Sequence, residues 1–394
     1  ATASRDDPPA FVLHLMSKAM TSRRVFLRAG LAGVSGALAP GWAQRARQKR
    51  LGVTPEEAQA VHRRCLIIDA HNDVPVERIH RGERPLQWMK RDPAYHTDVP
   101  RMKEAGYDVG FFIVGDGPTA NLWVTIDQTL DQIEAHPKDL MLVRTSQDCV
   151  RAAKSGRVGV LMAIEGAGRW LDGKVEILGV LQRLGVRSIA ITHGEGGATP
   201  KDLQGTRSHY GVCTAADREA ERRNAGGLSP FGREVLKACN ELRIVVDLAH
   251  INDKAYYEAL ELSSRPPLVS HTAVFALGPH WRCLTDDQMK ALAKAGGVLG
   301  IAFAPGFIHA DPKQATIDRV VEHICYAADL VGIDHVGIGS DFDGLGTQIP
   351  VVPEMSQLVR LTQSMLAHGM SQEEIHKVWG GNFLSLLKRN IDPA

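Results

Sequence analysis

A chain of 394 residues is long for one domain, yet α/β barrels of roughly 250 to over 400 residues fold as single units, so one large catalytic domain is compatible with this length. Lys plus Arg number 46 against 45 Asp plus Glu, which excludes a strong field drawing the chain to nucleic acid or an anionic membrane and leaves small, weakly charged partners. The cysteines Cys65, Cys149, Cys213, Cys239, Cys283 and Cys325 form no CxxC or other tight pair, which excludes a zinc ribbon and a small disulfide scaffold; any metal must rest on His and carboxylates.

Residues 1–43 read as a signal peptide and leader. Thr21 to Arg28 is TSRRVFLR, a paired arginine before Phe26 and Leu27, and Ala29 to Ala39 is apolar, rich in Gly and Ala, and uncharged. That is the pattern of a twin-arginine export signal. The apolar run is about a dozen residues, short of the roughly 20 that span a bilayer, and it leads to small-residue cleavage sites at Ala37-Leu38-Ala39 and at Ala43. The expectation is export to the periplasm or beyond, with no stable membrane insertion of the mature part.

Over residues 44–394, short runs rich in Val, Ile and Leu recur between amphipathic stretches, as strands buried on both faces of a parallel sheet would. Eight are expected: Leu66–Ala70, Val109–Val114, Val158–Ile164, Arg187–Thr192, Arg243–Leu248, Pro267–Ser270, Val298–Phe303 and His335–Gly339. Helix-like segments lie between them, among them Phe231–Glu241, Asp253–Leu262, Asp286–Lys294 and Ile317–Leu330, several opened by a capping Asp, Ser or Thr. This rhythm predicts a single (β/α)8 TIM barrel or a doubly wound open sheet. No GxGxxG follows the first strand to favour a dinucleotide fold.

Ionisable residues at the strand ends decide for the barrel, whose chemistry sits at the carboxyl ends of its strands. The first strand runs into His71-Asn72-Asp73, and residues two apart on an extended chain project to one side, so an imidazole and a carboxylate can share a metal. The third ends in Glu165, a carboxylate costly to bury at the end of an apolar run unless a cation accepts it. The fifth delivers His250 and the sixth His271. Each of these residues alone has an ordinary structural explanation; five from four strand ends do not. They suit a pair of Zn²⁺-like ions, one held by His71 and Asp73 and the other by His250 and His271, bridged by Glu165 and a hydroxide. Such a centre makes an oxygen nucleophile for an acyl carbon, so hydrolysis is the default reaction.

The remaining ends add polar groups around that centre. His193, in ITHGEGG after the fourth strand, can donate to a developing oxyanion or merely bond a loop. The eighth strand leads to Asp341-Phe342-Asp343-Gly344, where a carboxylate can pass a proton to the leaving amine and one aspartate can cap a turn. Arg282, in HWRCLTDD, can grip a substrate carboxylate bidentately or pair at the surface with Asp286 or Asp287.

The motifs IIDAHNDVP, AIEGA, VVDLAH, LVSH, GSDFDG and GGNFLSLL, in order from about Cys65 to Leu387, resemble the renal or membrane dipeptidase family of metallopeptidases. The resemblance implies a (β/α)8 barrel with two zinc ions, His71 and Asp73 on the first, His250 and His271 on the second, and Glu165 bridging. It makes His193 the substrate-polarising histidine, Asp341 rather than Asp343 the catalytic aspartate, and Arg282 the arginine for the substrate's terminal carboxylate. It also suggests dipeptide substrates, tolerance of a D-residue on the carboxyl side, and peptidoglycan-peptide turnover in bacteria. The segment from Gly194 to Gly227 is longer than the family's usual polar loop and is expected to wall the pocket. A barrel amidohydrolase acting on a cyclic or N-acyl amide is the neighbouring alternative, a non-catalytic metal-holding barrel a remoter one, and a homodimer through outer helices a compatible assembly.

Overall fold

The computed structural model describes residues 50–393, apart from 117, 118 and 198. The export signal, its cleavage sites and the leader lie outside the described residues. Nine parallel strands form the sheet: β1 Ile68–Asn72, β2 Val109–Gly115, β3 Leu140–Leu142, β4 Val158–Ile164, β5 Val186–Ala190, β6 Val245–Asp247, β7 Leu268–Thr272, β8 Val298–Ile301 and β9 Val336–Ile338. Eight run side by side in the order β1-β2-β4-β5-β6-β7-β8-β9, and β3 is an extra strand pairing β4 alone. A parallel bridge between Asn72 and Phe342 brings the first and last strands together, with Asp73 N donating to Phe342 O (2.9 Å) and Asp341 N to His71 O (3.2 Å). The result is the (β/α)8 barrel, nearly closed, expected from the sequence.

Every residue of the eight barrel strands is buried, which is why they read as continuous apolar runs instead of alternating ones. Their two faces feed different apolar clusters. On β2, Val109, Phe111 and Ile113 join one, and Phe112 and Val114 the other.

The helices follow the sequence pattern closely. Pro230–Leu242 starts at Ser229, whose hydroxyl accepts from Gly232 N (2.9 Å), and buries Phe231, Val235, Leu236 and Cys239 at helical spacing. Asp253–Leu262, Asp286–Lys294 and Ile317–Val331 lie where expected, the last burying Val320, Val321, Ile324 and Ala328. Among the described residues no helix is long and apolar enough to cross a membrane. All six cysteines are buried.

The segment from Gly194 to Gly227 is not simply a loop. It contains a helix, Ala215–Asn224, opened by a capping box in which Thr214 and Asp217 satisfy each other's backbone N–H. Its preceding stretch pairs with the chain beyond β7, through a bridge between Val212 and His280 and a bond from Trp281 N to Gly211 O (3.0 Å).

Candidate metal centre

All five expected metal ligands meet at the carboxyl ends of the strands. His71 lies within β1 and Asp73 just past it, at the cap position of the helix Val74–His80. Glu165 follows β4 directly, and its backbone carbonyl accepts from Trp170 Nε1 (3.1 Å). His271 lies within β7; His250 stands three residues beyond β6, in the left-handed region at φ 66°. Each of the five is less than a tenth exposed.

The geometry centres on Glu165. Its Oε1 stands 3.0 Å from His250 Nε2 and 3.5 Å from His271 Nε2, while Oε2 stands 3.9 Å from His71 Nε2. His71 Nε2 is in turn 3.2 Å from Asp73 Oδ2. Three overlapping groups, His71–Glu165–His271, Glu165–His193–His250 and His71–Asp73–Asp341, each bring three candidate ligand atoms within 4.8 Å of one another. The groups overlap because the ligands crowd together: the ring centroids of His71 and His271 are 3.8 Å apart and those of His250 and His271 4.9 Å apart.

These residues fit a cation. Burial and the positive charge of Arg282 hold His250 well below the usual imidazole range; burial, His71 and Arg282 do the same for His271, so both are neutral, the form that ligates. His271 Nδ1 is paired with Ser270 Oγ (2.8 Å) and His250 Nδ1 with the Tyr210 hydroxyl, which leaves both Nε2 atoms, 2.8 Å apart, facing the carboxylate. Glu165 Oε1 is buried with no hydrogen-bond donor, and Asp73 Oδ2, also buried, has only His71 Nε2 beside it. Unprotonated nitrogens and a donorless carboxylate oxygen converging in the interior are costly unless a positive ion completes them.

The surrounding groups are polarised by the same charges. Burial disfavours a charged His71, but Asp73 and Glu165 outweigh it and push the imidazole up to about 10 in the absence of an ion. Glu165 carries His193 up to about 9 against the opposing effect of burial, with Asp116 Oδ1 helping 3.0 Å from His193 Nδ1. A protonated His193 thus keeps Nε2, 3.9 Å from Glu165 Oε2, as a donor directed at the centre. Burial, reinforced by Asp73 and Glu165 against His71, raises Asp341 to about 7.

The two aspartates after β9 separate cleanly. Asp341 joins His71 and Asp73, whereas Asp343 Oδ1 accepts from His96 N (2.7 Å) and lies 3.1 Å from His96 Nδ1. Gly344 must be glycine for this arrangement, since a Cβ there would collide with Asp73 Oδ2 and Asp341 Oδ1. Arg282 is not at the surface. It is 5% exposed, its Nη2 donates to His271 O (3.2 Å), and Tyr326 rather than Arg282 bonds Asp286. A cavity of about 380 Å³, lined among others by Asp73, Glu165, His193, Arg282 and Asp341, is of a size that suits a small molecule.

Several supporting residues are not among those singled out in the sequence. Asp116 directly follows β2, so the rule that picked Glu165 would have found it. Asp69 and Asp247, acids inside apolar runs, tie strand ends together: Asp69 accepts from Ser340 N (2.7 Å) and Oγ (2.6 Å), and Asp247 Oδ1 from Ser270 N (2.9 Å). Tyr210 and Ser270 carry no local signal.

Comparison with known proteins gives the family of the chain. The family model for membrane dipeptidases, peptidase family M19, matches residues 55–392. A dipeptidase of Claviceps purpurea, tcpJ, is 28% identical over 319 residues, covering 77% of this chain and 71% of that protein. The solved metallopeptidase of Rhodobacter sphaeroides, bound to a phosphinate mimic of L-Ala-D-Ala, superposes with a TM-score of 0.73 at 26% identity, covering 82% of this chain and 99% of its own. A dipeptidase-like protein of Pseudomonas aeruginosa, PvdM, shares the fold at TM-score 0.72 and 20% identity over 85% of this chain and 98% of its own. With the family model spanning the whole barrel and the ligand clusters in place, the chain belongs to the membrane dipeptidase family, peptidase family M19, and is a metal-dependent dipeptidase.

Proposed function

We propose that this dipeptidase works with two Zn²⁺ ions, one on His71 and Asp73, the other on His250 and His271, with Glu165 shared between them. The observation that carries this reading is the position of Glu165, one oxygen toward each pair, in the cavity that also holds Arg282. Two bound ions supply a water acidified to near neutrality and polarisation of the amide carbonyl.

The chain's own groups do the rest. Arg282 binds the carboxyl-terminal carboxylate through its guanidinium and so sets the register of the scissile amide. His193, protonated and steadied by Asp116, donates through Nε2 to the carbonyl oxygen as charge develops there. Asp341, poised near 7, accepts a proton from the attacking water and returns it to the leaving amine. The inhibitor of the Rhodobacter sphaeroides relative supports substrates with a D-residue on the carboxyl side. The arginine pair at Arg23 and Arg24 and the apolar stretch after it support action outside the cytoplasm.

The test is a panel of L-L and L-D dipeptides, with N-acyl and cyclic amides as controls, on metal-loaded protein of known metal content. Two ions per chain and dipeptide turnover, abolished by chelation and restored by Zn²⁺, are expected. Two ions with turnover of N-acyl amides only would overturn the dipeptide reading in favour of an amidohydrolase.

A further inference from the structure

The inserted segment holds a second buried arginine that the chemistry above does not use. Arg218, on the helix Ala215–Asn224, is 5% exposed, and all five of its N–H groups have acceptors. Nε and Nη2 donate in a fork to Asp253 Oδ2 (2.9 Å) and Oδ1 (2.6 Å), and Nη2 also to Gln288 Oε1 (2.8 Å). Nη1 donates to the carbonyls of Trp281 and Cys283, the latter at 3.2 Å. Those two carbonyls flank Arg282.

The rest of the insertion grips the same stretch. Trp281 N donates to Gly211 O (3.0 Å), Cys213 N donates to Pro279 O (3.1 Å), and Val212 bridges His280. On the barrel side, Thr272 Oγ1 donates to Arg282 O (2.8 Å). The backbone of Arg282 is therefore pinned from both sides. Asp253, which anchors Arg218, opens the helix three residues after His250 and so belongs to the barrel frame. Arg218 links that frame to the carbonyls on either side of Arg282 through one rigid, planar group.

We propose that Arg218 is a positioning residue for substrate carboxylate recognition: anchored on Asp253, it clamps the carbonyls of Trp281 and Cys283 and thereby fixes the direction in which Arg282 enters the cavity. This rests on the assignment of Arg282 to the substrate carboxylate. The insertion then acts on substrate choice through the backbone beneath the recognising arginine as well as by walling the pocket. Lysine, a point charge with three donors, can keep the pairing with Asp253 but cannot hold a carboxylate and two carbonyls in one plane.

The test compares a dipeptide with its carboxyl-terminal amide in wild type, Arg282→Met and Arg218→Lys, all metal-loaded, with melting temperature and metal content measured alongside. Arg282→Met should abolish the preference for the free carboxylate; if it does not, the assignment of Arg282 fails and takes this inference with it. Given that loss, Arg218→Lys should cut the dipeptide-to-amide ratio of kcat/KM about tenfold, mostly through KM, with two ions retained. A ratio equal to wild type, or equal losses on both substrates, would reduce Arg218 to a merely structural role. Where Arg218→Lys does not fold, Arg218→Met/Asp253→Asn removes the buried charge pair together and is read by the same ratio.

Discussion

Asp341 and Asp343 are two residues apart in one turn, yet the structure predicts different consequences for the same change. Asp341→Asn keeps the size and shape of a side chain packed beside His71 and Asp73 but removes its basicity. General acid–base catalysis is typically worth ~10²–10⁴-fold, so kcat should fall by that factor, about 3–5 kcal/mol of barrier at 1.36 kcal/mol per decade. Asp343→Asn instead weakens the bonds from His96 N and Nδ1 at 2.7 and 3.1 Å. Hydrogen bonds to charged groups contribute about 1.5–3 kcal/mol, and the amide can still accept from His96 N, so a stability loss near the lower figure is expected, with kcat within about tenfold of wild type. Turnover at saturating dipeptide, urea unfolding and elemental analysis on the two variants read these effects apart. Wild-type-like turnover in Asp341→Asn with both ions bound would refute proton transfer by Asp341. A kcat loss in Asp343→Asn as large as in Asp341→Asn, at unchanged stability, would refute the division of roles.

Tyr210→Phe removes the hydroxyl that pairs with His250 Nδ1; outer partners of ligating histidines are typically worth about 10–100-fold in metal affinity. A titration in metal buffer should show one of two sites weakened by that factor, and two unaltered sites would discount the contact. Acid should destabilise the fold with a defined sign. His62 and His323, buried and paired with Ala105 O and Ile308 O, are pushed down to about 4, mainly by burial. The unfolded chain, titrating near 6.5, holds more protons between those values, so their contribution is complete above pH 6.5 and lost as pH falls through 4, up to about 3 kcal/mol each. In urea unfolding, His323→Gln should lose about 2–3 kcal/mol less than wild type between about pH 7.5 and about pH 4, and an equal loss would refute the assignment. At His250, whose φ is 66°, His250→Gly should exceed His250→Ala in stability by about 1 kcal/mol in metal-free protein, because a Cβ is strained there; the reverse order of urea midpoints would count against strain at this residue.

The barrel was legible because parallel strands buried on both faces must be apolar throughout, and the convergence of His71, Asp73, Glu165, His250 and His271 was legible because they interrupt that apolarity at the strand ends. Leu140–Leu142 escaped notice for the opposite reason: three residues, two of them only half-buried, make no run. The helix Ala215–Asn224 escaped because its body, AADREAERRN, has no apolar stripe. It buries Arg218 and Glu221 instead, and the only sequence signal left was Thr214 three residues before Asp217. The closeness of His71 to His271 was not legible either. The first and seventh sheet strands are far apart in sequence, and only barrel curvature brings the rings of His71 and His271 within 3.8 Å. Tyr210 and Ser270 act through single hydroxyls on ring nitrogens, contacts that composition and spacing do not encode.

The centre is costly to fold, and the rest of the chain offsets that cost locally. Among the described residues five non-glycines adopt positive φ, and three of them, His250, Asp341 and Asp343, are at this site. Strain of about 1–3 kcal/mol per residue persists only where the surroundings over-determine the backbone. Here they do. The carbonyl of His250 accepts from Ser208 Oγ (2.5 Å), Asp341 N donates to His71 O (3.2 Å), and Asp343 is held by His96. Ser208, Tyr210 and Arg218 all come from the inserted segment between β5 and β6. A stretch read from sequence as a pocket wall therefore steadies His250 on one side and the backbone of Arg282 on the other, so changes within it should alter metal affinity and substrate choice together.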